Sequence, residues 1–333
     1  MDFPFNESRF PGFDHEGFMR KQKEKADLKK VGFYTGMAII GNIVLQNLLV
    51  VVLSLAGLTD KYLSDGVFSA GFDILFTVIA LLVPFMLAGR KMQKYSSVQR
   101  VFYLGGPYRN SLMLPAVIGG IGCCMAANIV TGYISVIFNN FGYEPSDIDF
   151  NLPDGIGGFV LSMFRMAIVA GIVEEVALRG YALGNLRFYG DKFAIIMSSL
   201  VFAVIHGNFS QIPFALVSAF GLGYFSVKTG TMWTGVLIHM LNNALSVIFY
   251  YIPDVIGEDA STYLQLVLIY GMIAAGLAAT VYFVNHTKDI PLYKGGSILE
   301  TSEKVKAYFS SVPMIIAIVY FLGVSVVGIT KIS

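Results

Sequence analysis

Three short constellations carry side chains that do chemistry in water and are costly to place in lipid. Glu174, Glu175 and Arg179 stand together in one apolar stretch, His206 ends the run Phe202-Ala203-Val204-Ile205-His206, and His239 and Asn243 lie four apart in a third stretch. Carboxylate, imidazole and amide around one water-accessible cavity are the parts of a hydrolytic site. A carboxylate takes a proton from water, and donors such as His239 and Asn243, on one helix face at this spacing, hold the oxyanion that forms when water adds to a peptide carbonyl. Glu175 and Arg179 have the favourable i,i+4 order, acid first, and can neutralise each other, whereas Glu174 is rotated by about 100° and lacks that partner. No HExxH sequence occurs. Glu174, His206 and His239 could nevertheless give a zinc ion three ligands with a fourth position open to water, so spacing leaves the metal-free and zinc mechanisms both open.

Taken singly, each group also has a structural explanation. A Glu–Arg pair can be an internal ion pair, a histidine can bond a backbone carbonyl, and Asp73 and Arg165 read as packing or interfacial residues. The coincidence of two acids, two imidazoles and an amide at similar depth on three segments is what favours a site.

The elements that must hold these groups are membrane helices. Of 333 residues, 55% are hydrophobic and 14% charged, where a soluble domain carries about 25% charge, so this much apolar surface calls for lipid as its solvent. The net charge of +1 excludes the strongly basic class that binds nucleic acid, and the adjacent Cys123 and Cys124 build neither a disulfide framework nor a CxxC metal site. A window of about 20 apolar residues picks out nine spans, at 33–58, 67–89, 111–138, 158–184, 192–209, 212–228, 231–252, 262–285 and 312–330. The expected fold is an all-α, polytopic membrane helix bundle of eight or nine transmembrane helices. A charged tail at 1–32 precedes the membrane domain at 33–330, and the short segments 192–209 and 212–228 are the two that re-entrant structure would also fit. Gly271, Ala275 and Ala279 form a small-residue stripe suited to close packing in the eighth span.

Lys and Arg alternate between connections. They crowd the tail, 90–109, 187–192, Lys228 and 288–306, and are nearly absent from the connections between. The positive-inside rule then places the N-terminus in the cytoplasm and residues 139–157 outside. Counted from the cytoplasmic ends, Glu174, His206, His239 and Asn243 share a layer about 12–20 Å deep, which suggests a membrane-anchored tail reaching them from the cytoplasmic face.

Glu174-Glu175-x-x-x-Arg179, Phe202-x-x-x-His206 and His239-x-x-x-Asn243, in this order on successive spans, resemble the CAAX prenyl protease type II and bacteriocin-processing (CPBP, or Abi) intramembrane proteases over about residues 155–250. The resemblance implies that Glu174 activates water with His206 assisting, that His239 and Asn243 stabilise the oxyanion, and that Glu175 and Arg179 support them. The implied substrate is a membrane-associated peptide or protein, prenylated CAAX-type or bacteriocin-like, at the plasma membrane if the source is bacterial. Two other functions fit the residues: a non-catalytic immunity or scaffold protein of the same fold, and an ion or proton transporter using the same polar layer.

Overall fold

The computed structural model describes residues 14–92, 94–95, 105–146 and 152–332. Long apolar runs satisfy their backbone in lipid only as helices or closed barrels, and this chain takes the helical solution. Its helices are α1 (His15–Leu55), a short α2 (Thr59–Ser64), α3 (Gly66–Met92), α4 (Asn110–Asn140), α5 (Gly155–Tyr189), α6 (Asp191–Val204), α7 (Ile212–Thr229), α8 (Trp233–Ile256), α9 (Glu258–Asn285), α10 (Thr301–Phe309) and α11 (Val312–Val327). Among the described residues the one sheet is an antiparallel ribbon of β1 (Tyr143–Pro145) and β2 (Ile329–Lys331).

The chain is an integral, multi-pass membrane protein. Among the described residues, seven helices (α1, α3, α4, α5, α7, α8 and α9) are long and apolar enough to cross a bilayer, and α10 with α11, bent by 81°, make up to eight. Two expected spans shorten: that at 312–330 becomes the 16-residue α11, and that at 192–209 becomes α6. α6 stops after 14 residues because Gly207 takes a φ of +63° and Asn208 accepts the Ser210 N–H at 2.7 Å, closing a turn before α7. The chain expected as a tail is helical from His15, where Asp14 caps α1 by accepting the Gly17 N–H at 2.8 Å; residues 1–13 lie outside the described residues. The close contact of α9 is also displaced from the expected stripe. A side chain on Gly276 would collide with the Gly122 backbone of α4, while Gly271 faces open space.

The alternation of Lys and Arg becomes two chemically distinct ends. At the basic end, Lys228 Nζ donates to the Thr287 carbonyl at 2.7 Å, Lys304 Nζ to the Tyr189 carbonyl at 2.8 Å, and Arg109 pairs with Asp289. Lys21 and Lys25 each reach Glu303 at 2.9 Å. At the opposite end the ribbon receives the α6–α7 turn, whose Asn208 Nδ2 donates to the Ser146 carbonyl at 3.0 Å. The connections at that end hold Asp60, Asp65, Glu144, Asp154, Asp254, Glu258 and Asp259 against Lys61 and Lys331.

Candidate active site

α5 is not one uniform helix. Gly171–Glu175 is α-helical and lies between two π-helical stretches, Met163–Ala170 and Val176–Leu183. Stretches of this kind alter the register of a helix and recur at functional sites. Here they bracket the five residues that end in both glutamates. α8 comes close enough to meet those glutamates because two glycines leave room. A Cβ on Gly171 would stand 2.9 Å from Met240 Cγ, and one on Gly235 would stand 2.7 Å from Glu175 Oε2.

His239 of α8 lies between the two carboxylates. Its Nδ1 is 3.0 Å from Glu175 Oε1, and its Nε2 is 3.8 Å from Glu174 Oε2. The Glu175–Arg179 pair expected from spacing forms at 2.8 Å, with both side chains almost completely buried. Arg179 is fixed in turn by the Ala219 carbonyl, at 3.3 Å from its Nη2, and by the Phe202 ring, whose centroid is 4.7 Å from its guanidinium carbon. A buried guanidinium without such partners would be severely destabilising. Glu174 differs from its neighbour in that its side chain is 24% exposed, which is enough for water to reach it.

Phe202 organises the second constellation. His206 Nδ1 donates to the Phe202 carbonyl at 2.7 Å, which leaves Nε2 as the nitrogen able to accept a proton. The same ring meets His206 edge-on at 4.7 Å and His239 at 5.9 Å between centroids. Sequence reasoning quoted Phe202 without giving it a task. Its task is to support Arg179 and both imidazoles.

Two cavities meet at this point. One of about 390 Å³ is lined by Asn42, Gln46, Asp73, Arg165, Glu174 and His206 among others. The other, of about 420 Å³, is lined by Glu174, His206, His239 and Asn243, together with Asn128, Gln211, Ser218, Asn242 and Ser246. All four residues expected to take part directly in hydrolysis therefore face one chamber, and Glu174 and His206 face both. Asn243 Nδ2 donates to the Met166 carbonyl at 2.9 Å, so one of its two amide hydrogens is engaged. Sequence reasoning missed Asn242, which donates to Asn243 Oδ1 at 3.3 Å, and it missed the pairing of Arg165 with Asp73 at 2.7 Å. The paired acid and base in separate spans were the available signal.

The zinc alternative meets a geometric obstacle. Among the described residues no three His, Cys, Asp or Glu side chains converge in a group able to hold a metal ion. Glu174, His206 and His239, the expected ligand set, share a chamber without forming such a group, although the Nδ1 contacts of His239 with Glu175 and of His206 with a carbonyl leave both Nε2 atoms available. As placed, these side chains do not form a three-ligand zinc site, and no step of the chemistry below is routed through a metal.

Residues 156–245, which contain all of these side chains from α5 to α8, match the family model for type II CAAX prenyl endopeptidase Rce1-like proteins. A curated relative, the membrane-embedded CAAX protease MroQ of Staphylococcus aureus (strain USA300), is 33% identical over 26% of this chain and 38% of its own length. The match thus spans little more than a third of that relative. No solved structure matches the chain significantly. Residues 156–245 of the chain are thus similar to the Rce1-like, CPBP family of membrane proteins.

Proposed function

We propose that the protein is an intramembrane endopeptidase that cleaves a membrane-associated peptide or protein, with Glu174 activating the attacking water and no metal taking part. The observation that carries this reading is the position of His239, fixed by Glu175 on one side and presenting Nε2 to Glu174 and the larger cavity on the other. Water in that cavity gives a proton to Glu174, while His206 Nε2 accepts a hydrogen bond from the same water and orients it. The water oxygen bonds to the scissile carbonyl carbon. The resulting oxyanion receives hydrogen bonds from His239 Nε2–H and from the second amide hydrogen of Asn243. Glu174 then delivers its proton to the departing amine as the carbon–nitrogen bond breaks.

A doubly protonated His239 suits this scheme on charge grounds. Glu174 and Glu175 contribute two negative charges, and Arg179 with an imidazolium contributes two positive ones, so the buried cluster is neutral. The family description and the relative's name suggest a prenylated CAAX-type peptide; a bacteriocin-like peptide is the other substrate in keeping with the motifs. The basic end is assigned to the cytoplasm on the positive-inside rule, which puts the N-terminus there.

The test uses purified protein in detergent and an anchored peptide library, comparing wild type with Glu174→Gln, which keeps the side-chain volume and removes the base. Turnover should fall by about 10²–10⁴, the usual contribution of general-base catalysis. Variant activity within about tenfold of wild type would reject Glu174 as the base.

A further inference from the structure

We infer that the substrate reaches Glu174 from the acidic end of the molecule, the end formed by 143–146, the α6–α7 turn and β2, and not from the lysine- and arginine-rich end. This rests on the hydrolytic reading above and adds which face of the membrane presents the substrate. It reverses the approach suggested by sequence depth.

The direction follows from the helices that wall the two cavities. α5 runs from the acidic end at Gly155 to the basic end at Tyr189. Its cavity-lining residues stop at Glu174 and extend back to Arg165, nine positions or about 13 Å toward the acidic end. α8 runs the opposite way, and its lining goes from His239 forward to Ser246, about 10 Å toward the same end. Gln211 belongs to the acidic-end turn itself, where Asn208 is tied to Ser146. Two antiparallel helices and an independent turn therefore agree on one opening.

The other direction is filled. Beyond the glutamates every residue of 177–186 is buried. The void found there, beside Arg179, Leu183 and Met232, has about 10 Å³, roughly the room of a single water. The fully buried Glu175–Arg179 pair forms the floor.

Polarity points the same way. Polar side chains in membrane helices are costly unless they face a partner or water. Gln46, Asn128, Ser218 and Ser246 line the cavities between the glutamates and the acidic end. Such a lining suits a hydrated channel whose amides and hydroxyls bond an extended peptide backbone. At about 3.3 Å per residue, the 13 Å from Arg165 to Glu174 takes about four extended residues. With the basic end in the cytoplasm, the substrate is a flexible peptide segment held at the outer face of the membrane, which fits the bacteriocin-like alternative and not a CAAX tail prenylated in the cytoplasm.

The experiment reads accessibility and turnover separately. In a background with Cys123 and Cys124 replaced by alanine, Gln46→Cys and Ser246→Cys are exposed to a membrane-impermeant maleimide in right-side-out and inside-out vesicles. Glu144→Cys and Lys288→Cys mark the acidic and basic ends. Both cavity positions should label in the vesicles where Glu144→Cys labels, with labelling lost where only Lys288→Cys does. Labelling alongside Lys288→Cys would overturn the direction of access, and labelling of Glu144→Cys from the cytoplasmic side would overturn the assignment to the outer face. A protein that labels as expected but cleaves nothing in detergent would leave the access route standing and defeat the proteolytic reading. Replacement of the two native cysteines is checked by recovery of wild-type thermal stability, and if that fails the same positions are probed in the unreplaced chain against its own background labelling.

Discussion

Glu175 Oε1 is shared: it lies 3.0 Å from His239 Nδ1 and 2.8 Å from Arg179 Nη1. One buried oxygen thus orients the imidazole and neutralises the guanidinium. Glu175→Gln should damage both tasks, because a neutral amide leaves Arg179 charged and without its counter-ion. Breaking a buried pair from one side destabilises by about 3–5 kcal/mol. We expect a clear fall in thermal stability for Glu175→Gln together with lost turnover, while Glu174→Gln loses turnover and keeps its stability. Equal melting behaviour of the two variants in detergent would contradict the separate roles of the adjacent glutamates.

Gly235 tests the same oxygen pair from the α8 side. A methyl group there would stand 2.7 Å from Glu175 Oε2 and 2.6 Å from Ser226 Oγ, inside contact distance for both. Overpacking of this kind costs about 1–3 kcal/mol. Gly235→Ala should therefore push Glu175 or α8 away and lower turnover well beyond any loss of folded protein. The check is turnover per folded molecule, with Gly271→Ala, where nothing lies within 4 Å, as the neutral control.

The i,i+4 relations were legible in the sequence because a single helix fixes them. Glu175 with Arg179 needs only the helical repeat, and so does placing His239 and Asn243 on one face. Relations between helices were not. That His239 would turn Nδ1 to Glu175 depends on the π-helical stretches around Gly171–Glu175 and on the gap left by Gly235, and neither has a signature in hydrophobic periodicity. The length of α6 was misread for a related reason. Residues 205–209 are apolar enough to continue a span, but Gly207 and Asn208 close a turn there. The depth argument placed the polar layer without saying which side of it was packed, since burial of 177–186 arises from neighbours remote in sequence.

Arg165 and Asp73 join α5 to α3 at 2.7 Å, and Tyr62 donates to the second oxygen of Asp73 at 2.7 Å. Arg165 is the more enclosed of the two, so it depends on the pair more than Asp73 does. Asp73→Asn should destabilise the protein by about 1–3 kcal/mol, less than a fully buried pair because Asp73 is partly open to the cavity. Arg165→Met combined with Asp73→Asn should recover part of that loss, as it removes the charge that has lost its carboxylate partner. Unfolding in detergent for the two single variants and the double variant measures the coupling. Additive losses would show that the pair does not hold α3 to α5.

The start of α1 is held at the basic end by Glu303, which receives Lys21 and Lys25 at 2.9 Å each. α10, the helix that carries Glu303, bends away from the apolar α11 by 81°. The two lysines pull the Glu303 carboxyl from its ordinary value of 4.5 to about 2. A folded-state value below the unfolded one means that the folded protein favours the charged carboxylate. The stabilising contribution is therefore fully present above pH 4.5 and is lost as the pH falls toward 2. Because the groups are solvent-exposed, salt should weaken the tie as well. Hydrogen exchange in 297–308 should rise as the pH is lowered through this window, after correction for the intrinsic pH dependence of exchange. Glu303→Gln should show the raised exchange already at neutral pH and should lose the acid-dependent step. A step of unchanged size in Glu303→Gln would assign the transition to another carboxylate, with Glu24 the first to examine, since it accepts the Ile298 N–H at 3.0 Å in the same contact.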